Sequence, residues 1–207
     1  MLWSIPVSIV AALVIVSIRL PAYYLRGWSD ARPPVVWRSS LIGLLVGIVV
    51  IIGYTSADVD PRLVIGSGEG FIKDVMALTS VSALIIVIVS KGICYSLCLG
   101  GGLRGGPIFP AMFIGAAVGT IFVVLGASAQ VTTLVAAGVL AATTTGLKLN
   151  WLAMIITAAV FGLLLGSPLL IAPCLLGMVI GRLLRLLLEK IPAVGPVEDE
   201  PDLAHAA

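Results

Sequence analysis

The chain has 207 residues, of which 60% are hydrophobic and only 11% are charged, and its formal net charge is +2. A soluble domain carries about a quarter charged residues, and so small a net charge argues against a nucleic-acid-binding surface. The composition therefore excludes an ordinary soluble protein and a nucleic-acid partner. It predicts an integral, multi-pass membrane protein whose main surroundings are the lipid bilayer.

The charged residues are also segregated along the chain. Residues 105–147 contain no Asp, Glu, Lys, Arg or His, and neither do residues 149–181. A run of about 20 apolar residues can cross a bilayer, so these two stretches, separated only by Lys148, provide several membrane segments. The alternative, a large buried core of a soluble enzyme, is disfavoured because runs of this length need a cover that the chain does not offer.

Apolar segments alternate with polar or glycine-rich connections along the chain. The segments predicted to be helical are residues 3–20, 41–54, 71–78, 81–99, 111–125, 131–147, 151–165 and 169–188. Arg19 marks the end of the first segment, and Arg26 and Arg38 belong to a basic connection before the second. Residues 56–70 are predicted to be a loop, and residues 100–110 a glycine-rich break.

Several predicted segments are shorter than a simple spanning helix. Short segments interrupted by Gly and Pro are typical of broken or tilted helices packed inside a membrane bundle. The fold class is therefore an all-α polytopic membrane bundle over residues 1–190. Residues 191–207 are acidic and proline-rich, which predicts a disordered tail.

Small residues recur at a spacing of four within the apolar segments. Such pairs let helix backbones approach closely in lipid. The pairs are Gly43/Gly47, Gly115/Gly119, Gly162/Gly166 and Gly177/Gly181. They predict tight helix packing and carry no chemistry of their own.

The glycine-rich break is the most informative stretch for function. Its five glycines lead into a helix that is predicted to start near Ile108, with Pro110 in the first turn, where its missing N–H costs nothing. The N-terminus of a helix presents unpaired N–H groups and about half a positive charge. It is therefore an anion site built without a full charge. On physical grounds alone, a plain glycine-rich connector is an equal alternative.

A resemblance favours the anion site. Residues 91–99, the run 105–110 and the helix at 111–119 resemble the chloride channel (CLC) family. That family has a Gly-x-Phe-x-Pro motif at the N-terminus of a mid-membrane helix, followed by Gly-Ala-Ala-x-Gly. The motif falls on Gly106, Ile108 and Pro110, and the resemblance covers roughly residues 1–190.

The resemblance implies transport of chloride or a similar small anion, as a channel or an exchanger, with no cofactor beyond the transported ion. It places the anion against Gly106, Pro107, Ile108, Phe109 and Pro110. Family members bind the anion through N–H groups just after the motif's Gly. Pro107 has no N–H and Ile108 replaces the family's Phe, so the amides of Ile108 and Phe109 would bind it.

The resemblance is to the second inverted repeat of the family only. The serine and gate-glutamate motifs of the first repeat do not occur here, and no tyrosine follows Tyr95. We therefore expect a partial or half-length member that forms a homodimer or pairs with an N-terminal half, in the plasma or inner membrane. Residues 66–70 (Gly-Ser-Gly-Glu-Gly) resemble those motifs only superficially and are interpreted as a structural turn.

Three isolated cations lie beside apolar segments, namely Lys91, Arg104 and Lys148. They are candidate vestibule residues that would raise the local anion concentration, or else they snorkel to the interface. Cys94, Cys98 and Cys174 are interpreted as packing residues, and no metal site is predicted.

Three other functional classes are alternatives to anion transport. The first alternative is a non-transporting membrane scaffold, in which the glycines serve only packing. The second is a secondary transporter of another substrate, which would need more polar residues inside the bundle than this chain has. An enzyme is the least favoured class, because the apolar segments hold no catalytic triad, carboxylate pair or metal cluster.

Overall fold

The computed structural model of the chain describes residues 2–31, 35–57, 59–66, 68–103, 108–147 and 170–188. Every regular element in these ranges is a helix. In chain order they are α1 (Ser4–Ala31), α2 (Val35–Ala57), α3 (Pro61–Val64), a 3-10 helix (Glu69–Phe71), α4 (Ile72–Ala77), α5 (Val81–Gly100), α6 (Ile108–Val124), α7 (Val131–Gly146) and α8 (Ile171–Leu187).

The lengths and compositions of these helices confirm a multi-pass membrane protein. Within the described ranges, four helices are long and apolar enough to cross a membrane: α1, α2, α5 and α8. Helices α6 and α7 are also apolar but shorter. The all-α membrane bundle predicted from the composition is therefore confirmed.

Helix α7 lies at the centre of the bundle and contacts α1, α6 and α8. Its residues from Leu134 to Gly146 are all buried, as expected of a helix that is apolar on every side. Backbones meet directly between α6 and α7, because a Cβ atom added at Gly115 would lie 2.5 Å from the carbonyl oxygen of Gly138. On the other side of α7, Gly177 and Gly181 of α8 pack against the backbone of α7.

The predicted glycine pairs differ in whether they pack against a neighbouring helix. Close packing is confirmed for Gly115/Gly119 and Gly177/Gly181. For Gly43/Gly47 it stays a prediction, because an added Cβ atom would meet nothing within 4 Å in the described part of the chain. These two glycines belong to α2, a peripheral helix with many exposed apolar side chains. The pair Gly162/Gly166 lies outside the described residues.

The structure corrects the predicted end of the first helix. Helix α1 does not end near Arg19 but continues to Ala31, and Arg38 lies within α2 rather than in a connection. The physical reason is that the Arg19 guanidinium donates a hydrogen bond to the carbonyl oxygen of Gly146 inside the bundle. A charge that has a partner within the protein does not have to mark the boundary of a membrane helix.

The polar stretch at 56–70 has more structure than a loop, since it contains α3 and the beginning of the 3-10 helix. The carboxylate of Asp60 accepts a hydrogen bond from the Arg62 N–H at 2.8 Å, and Pro61 occupies the first helical position, an N-terminal arrangement that begins a helix. The helices predicted near 71–78, 81–99, 131–147 and 169–188 are confirmed within a few residues. The predicted helix at 151–165 and the tail at 191–207 lie outside the described residues.

Two arginines close the C-terminal end of α7. Arg19 of α1 donates to the carbonyl oxygen of Gly146, and Arg185 of α8 donates to that of Leu147 at 2.6 Å. The last carbonyl groups of a helix lack donors within the helix and carry the negative end of its dipole. The two guanidinium groups therefore join α1, α7 and α8 at one point.

We expect Arg19→Met to lower the free energy of unfolding by about 1 kcal/mol, the usual contribution of a hydrogen bond between membrane helices. The matched control is Arg26→Met on the exposed side of the same helix. Thermal unfolding in detergent, followed by the loss of helical circular dichroism, measures the difference. Equal melting temperatures for the two variants would contradict the bridging role of Arg19.

Candidate functional site

Helix α6 begins at Ile108, as predicted, and Pro110 lies in its first turn. Ile108 is exposed, whereas Phe109 and Pro110 are half-buried. The N–H groups of a first helical turn have no acceptors within the helix, and the dipole makes this end positive. The amides of Ile108 and Phe109 are thus available at the place where the sequence predicts the anion.

A cavity of about 260 Å³ lies beside this end of α6. Pro110 forms part of its wall, and most of the remaining wall is apolar. The other lining residues are Val46, Ile65, Gly66, Lys91, Cys94, Tyr95, Cys98, Leu99 and Leu103. A water molecule takes up about 30 Å³ in the liquid, so the cavity has room for a partly hydrated small ion.

Lys91 is the cation of this cavity. Only 2% of its surface is exposed, and its ammonium donates to the carbonyl oxygens of Leu63 at 3.1 Å, Val64 at 3.4 Å and Gly66 at 3.1 Å. The same ammonium lies 4.5 Å from the centroid of the Phe113 ring, within the range of a cation–π interaction. All these partners are neutral: three carbonyl oxygens and an aromatic ring.

The structure brings together only part of the predicted site. Lys91 and Pro110 line one cavity, and Ile108 and Phe109 begin the helix that contains Pro110. Gly106, Pro107, Arg104 and Lys148 lie outside the described residues. The vestibule and anion-binding roles of all these residues remain predictions.

Sequence reasoning missed the cavity role of three α5 residues. Cys94, Tyr95 and Cys98 line the cavity together with Lys91. Their positions, three, four and seven residues after Lys91, place them on one face of a helix. This spacing predicts that the three residues share the Lys91 face of α5. The cysteines were instead interpreted as packing residues, so the shared face was overlooked.

The glycine-rich turn at 66–70 also contributes to the site. Gly66 lines the cavity, and both Gly66 and Gly68 have positive φ angles, of 77° and 82°. A positive φ angle is sterically easy for glycine and unfavourable for residues with a Cβ atom. The backbone conformation of this turn therefore explains why glycine occupies both positions. Ser67 lies outside the described residues.

The chemistry around the cavity suits a small anion. The buried Lys91 lines this mostly apolar cavity, and so does Pro110 of the first turn of α6. A cation and the N-terminus of a helix both attract negative charge. Within the described ranges there is no group of three or more His, Cys, Asp or Glu residues that could hold a metal ion. Such a site can concentrate an anion without forming a strong ion pair with it.

Comparisons with known proteins agree with this chemistry. The model of the family described as voltage gated chloride channel matches residues 1–189 of the chain. The matched region includes every described helix from α1 to α8. No curated protein and no solved structure matches the chain significantly.

Proposed function

The chain belongs to the voltage-gated chloride channel family, and we propose that it moves chloride or a similar small anion through the cavity at the start of α6. The observation that supports this proposal is the shared cavity. Lys91 of α5 and Pro110 in the first turn of α6 line the same space. Lys91 and Pro110 are 19 positions apart in the sequence, and their shared cavity is the space through which we propose that the anion moves.

In this proposal the anion-binding segment is Gly106, Pro107, Ile108, Phe109 and Pro110, and the amides of Ile108 and Phe109 donate to the anion. Lys91 attracts the ion by its charge but does not bind it directly, since its ammonium is already hydrogen-bonded to carbonyl groups. An ion that must leave again requires binding of moderate strength. Partial charges and a shielded cation meet that requirement better than an exposed arginine.

Arg104 and Lys148 remain candidate vestibule residues. In the sequence, Arg104 comes four positions after the last residue of α5, and Lys148 two positions after the last residue of α7. Cations at such places raise the concentration of anions at the entrance of a pathway. Their contribution should weaken with ionic strength, because salt screens exposed charges.

We further propose that the chain works with a second protein chain, either another copy in a homodimer or an N-terminal half that supplies a gate. Helix α2 supports this, because several of its large apolar side chains are exposed. Leu44 is 62% exposed, Ile51 64% and Ile52 57%. Lipid alone can cover such a face, so the mass of the protein in detergent, measured by light scattering, decides whether two chains associate.

A non-transporting scaffold is the second candidate function. The direct backbone contact of Gly115 with α7 favours it, because glycine there serves packing and no ion. A scaffold, however, gives no role to the cavity of about 260 Å³ that Lys91 and Pro110 line. The two functions differ in a single measurable property, the passage of anions through the protein.

Modification of Cys98 tests whether the cavity is on the path of the ion. Cys98 is partly exposed, whereas Cys94 and Cys174 are buried, so a charged methanethiosulfonate reagent should react first at Cys98. Attachment of a sulfonate group should reduce chloride efflux from liposomes by about tenfold or more, since like charges 4 Å apart in protein repel by on the order of 4 kcal/mol. An ammonium-bearing reagent of similar size should reduce efflux less.

The control for this experiment is Cys98→Ser, which should conduct normally and resist both reagents. Complete labelling of Cys98 can be verified by mass spectrometry. Undiminished chloride efflux from fully labelled protein would show that the ion does not pass through this cavity.

A further inference from the structure

Lys91 holds together three separate elements of the fold. It belongs to the middle of α5, its hydrogen bonds end at carbonyl groups of residues 63, 64 and 66, and its charge lies against the ring of Phe113 in α6. Leu63 and Val64 are the last residues of α3, where carbonyl groups lack donors within the helix. The ammonium therefore caps α3 from a distance while it contacts α6.

Gly68 packs directly against Lys91 and Phe113. A Cβ atom added to Gly68 would lie 2.7 Å from Cδ2 of Phe113 and 3.0 Å from Nζ of Lys91. Phe113 itself is fully buried, and it follows Phe109 by one helical turn, on the same side of α6. The turn around Gly68 and the first turns of α6 thus touch through Lys91 and Phe113.

We propose that Lys91 is a positioning residue for the anion site. Its hydrogen bonds and its contact with Phe113 hold residues 63–66 and 68, called here the latch segment, against α6. The latch sets the angle at which the first turn of α6 faces the cavity. Its consequence for ion selectivity depends on the proposed anion transport, whereas the contact itself does not. The charge of Lys91 attracts the anion, and its hydrogen bonds fix the amides that receive the anion.

Two variants break the latch in different ways. Lys91→Met removes the hydrogen bonds and the charge while keeping an unbranched apolar side chain. Gly68→Ala keeps every charge but forces the turn away from Phe113 and Lys91. The matched control is Gly126→Ala, because Gly126 also has a positive φ angle, of 91°, yet an added Cβ atom there would meet nothing within 4 Å.

The first measurement is the ratio of nitrate efflux to chloride efflux from liposomes that contain the full chain. A loss of folded protein lowers both fluxes equally, so only a change at the site alters their ratio. Both latch variants should change this ratio by about threefold or more, a typical effect of mutations that alter coupling between parts of a protein. The double variant should change it no further than the stronger single variant, and Gly126→Ala should leave it unchanged.

The second measurement is hydrogen–deuterium exchange of the same proteins in detergent, which does not depend on transport. Both latch variants should speed exchange by about tenfold at residues 63–71 and also at residues 109–114, because loss of a contact lowers the local opening free energy on both sides. The control variant should exchange like the original chain in both segments.

Three results would overturn the proposal. A change of the efflux ratio in Lys91→Met alone, with Gly68→Ala unchanged, would mean that Lys91 acts only through its charge. Equal loss of both fluxes at a constant ratio would reduce Lys91 to a purely structural role. Faster exchange confined to residues 63–71 would show that α6 is not held by the latch, and this result stays decisive even if the original chain transports no anion.

Discussion

Gly115→Leu is expected to prevent assembly of the bundle, the largest effect that the structure predicts. The nearest atoms to an added Cβ atom all belong to the α7 backbone, at 2.5 Å for the carbonyl oxygen and 2.7 Å for the carbonyl carbon of Gly138, and 2.7 Å for Cα of Val139. A neighbouring side chain can rotate away, but a helix backbone has to move as a whole. We therefore expect Gly115→Leu to lower the free energy of unfolding by more than about 4 kcal/mol. Most domains have a total free energy of unfolding of about 5–15 kcal/mol.

The control for this prediction is Gly43→Leu in α2, where an added Cβ atom meets no atom within 4 Å. Both variants carry the same substitution in an apolar helix, so they differ only in what surrounds the glycine. Size-exclusion chromatography and a cooperative thermal transition in detergent measure assembly. A Gly115→Leu protein that is monodisperse and melts at the original temperature would refute the backbone contact between α6 and α7.

Ile108→Pro is expected to weaken anion transport by about tenfold or more, because a hydrogen bond to a charged group contributes about 1.5–3 kcal/mol. Proline is tolerated at the first position of a helix, so this change removes one amide donor and leaves α6 folded. The side chain of Ile108 is 45% exposed, so its loss alone should cost little. Ile108→Ala, which keeps the amide, should therefore conduct like the original chain.

The chloride concentration at half-maximal efflux measures this effect, with the helix content of each variant determined by circular dichroism. If Ile108→Pro is folded and its half-maximal concentration is unchanged, the amide of Ile108 does not bind the anion. If Ile108→Ala is as impaired as Ile108→Pro, the side chain and not the amide is responsible.

Much of the fold could be predicted from the sequence because the bilayer restricts what an apolar chain can do. Long charge-free runs must be helical when their backbone cannot reach water, and the start of α6 followed from the position of Pro110 and the glycines before it. Helix boundaries near charged residues were harder to predict. Arg19 looked like the end of a membrane segment, yet its partner, the carbonyl group of Gly146, is far away in the sequence.

The candidate site was predictable only in its parts. The sequence indicated Lys91 as an isolated cation and Ile108 as the start of a helix. It did not indicate that the Lys91 ammonium is hydrogen-bonded to the end of α3, because Asp60 and Pro61 mark only where this four-residue helix begins and not what its last carbonyl groups contact. The contact of Phe113 with Lys91 was not predicted either, since an aromatic residue in an apolar helix is most simply explained as part of the core.

The central claim, that this chain transports small anions, is tested most directly by chloride efflux from liposomes that contain the purified 207-residue chain. Empty liposomes give the leak rate, and protease protection with circular dichroism verifies that the chain is inserted and helical. The account predicts efflux above the leak that increases with the amount of protein and falls in Ile108→Pro but not in Ile108→Ala. An inserted, helical chain whose chloride efflux equals the leak, both alone and with the N-terminal half of a family member added, would contradict transport and favour the scaffold.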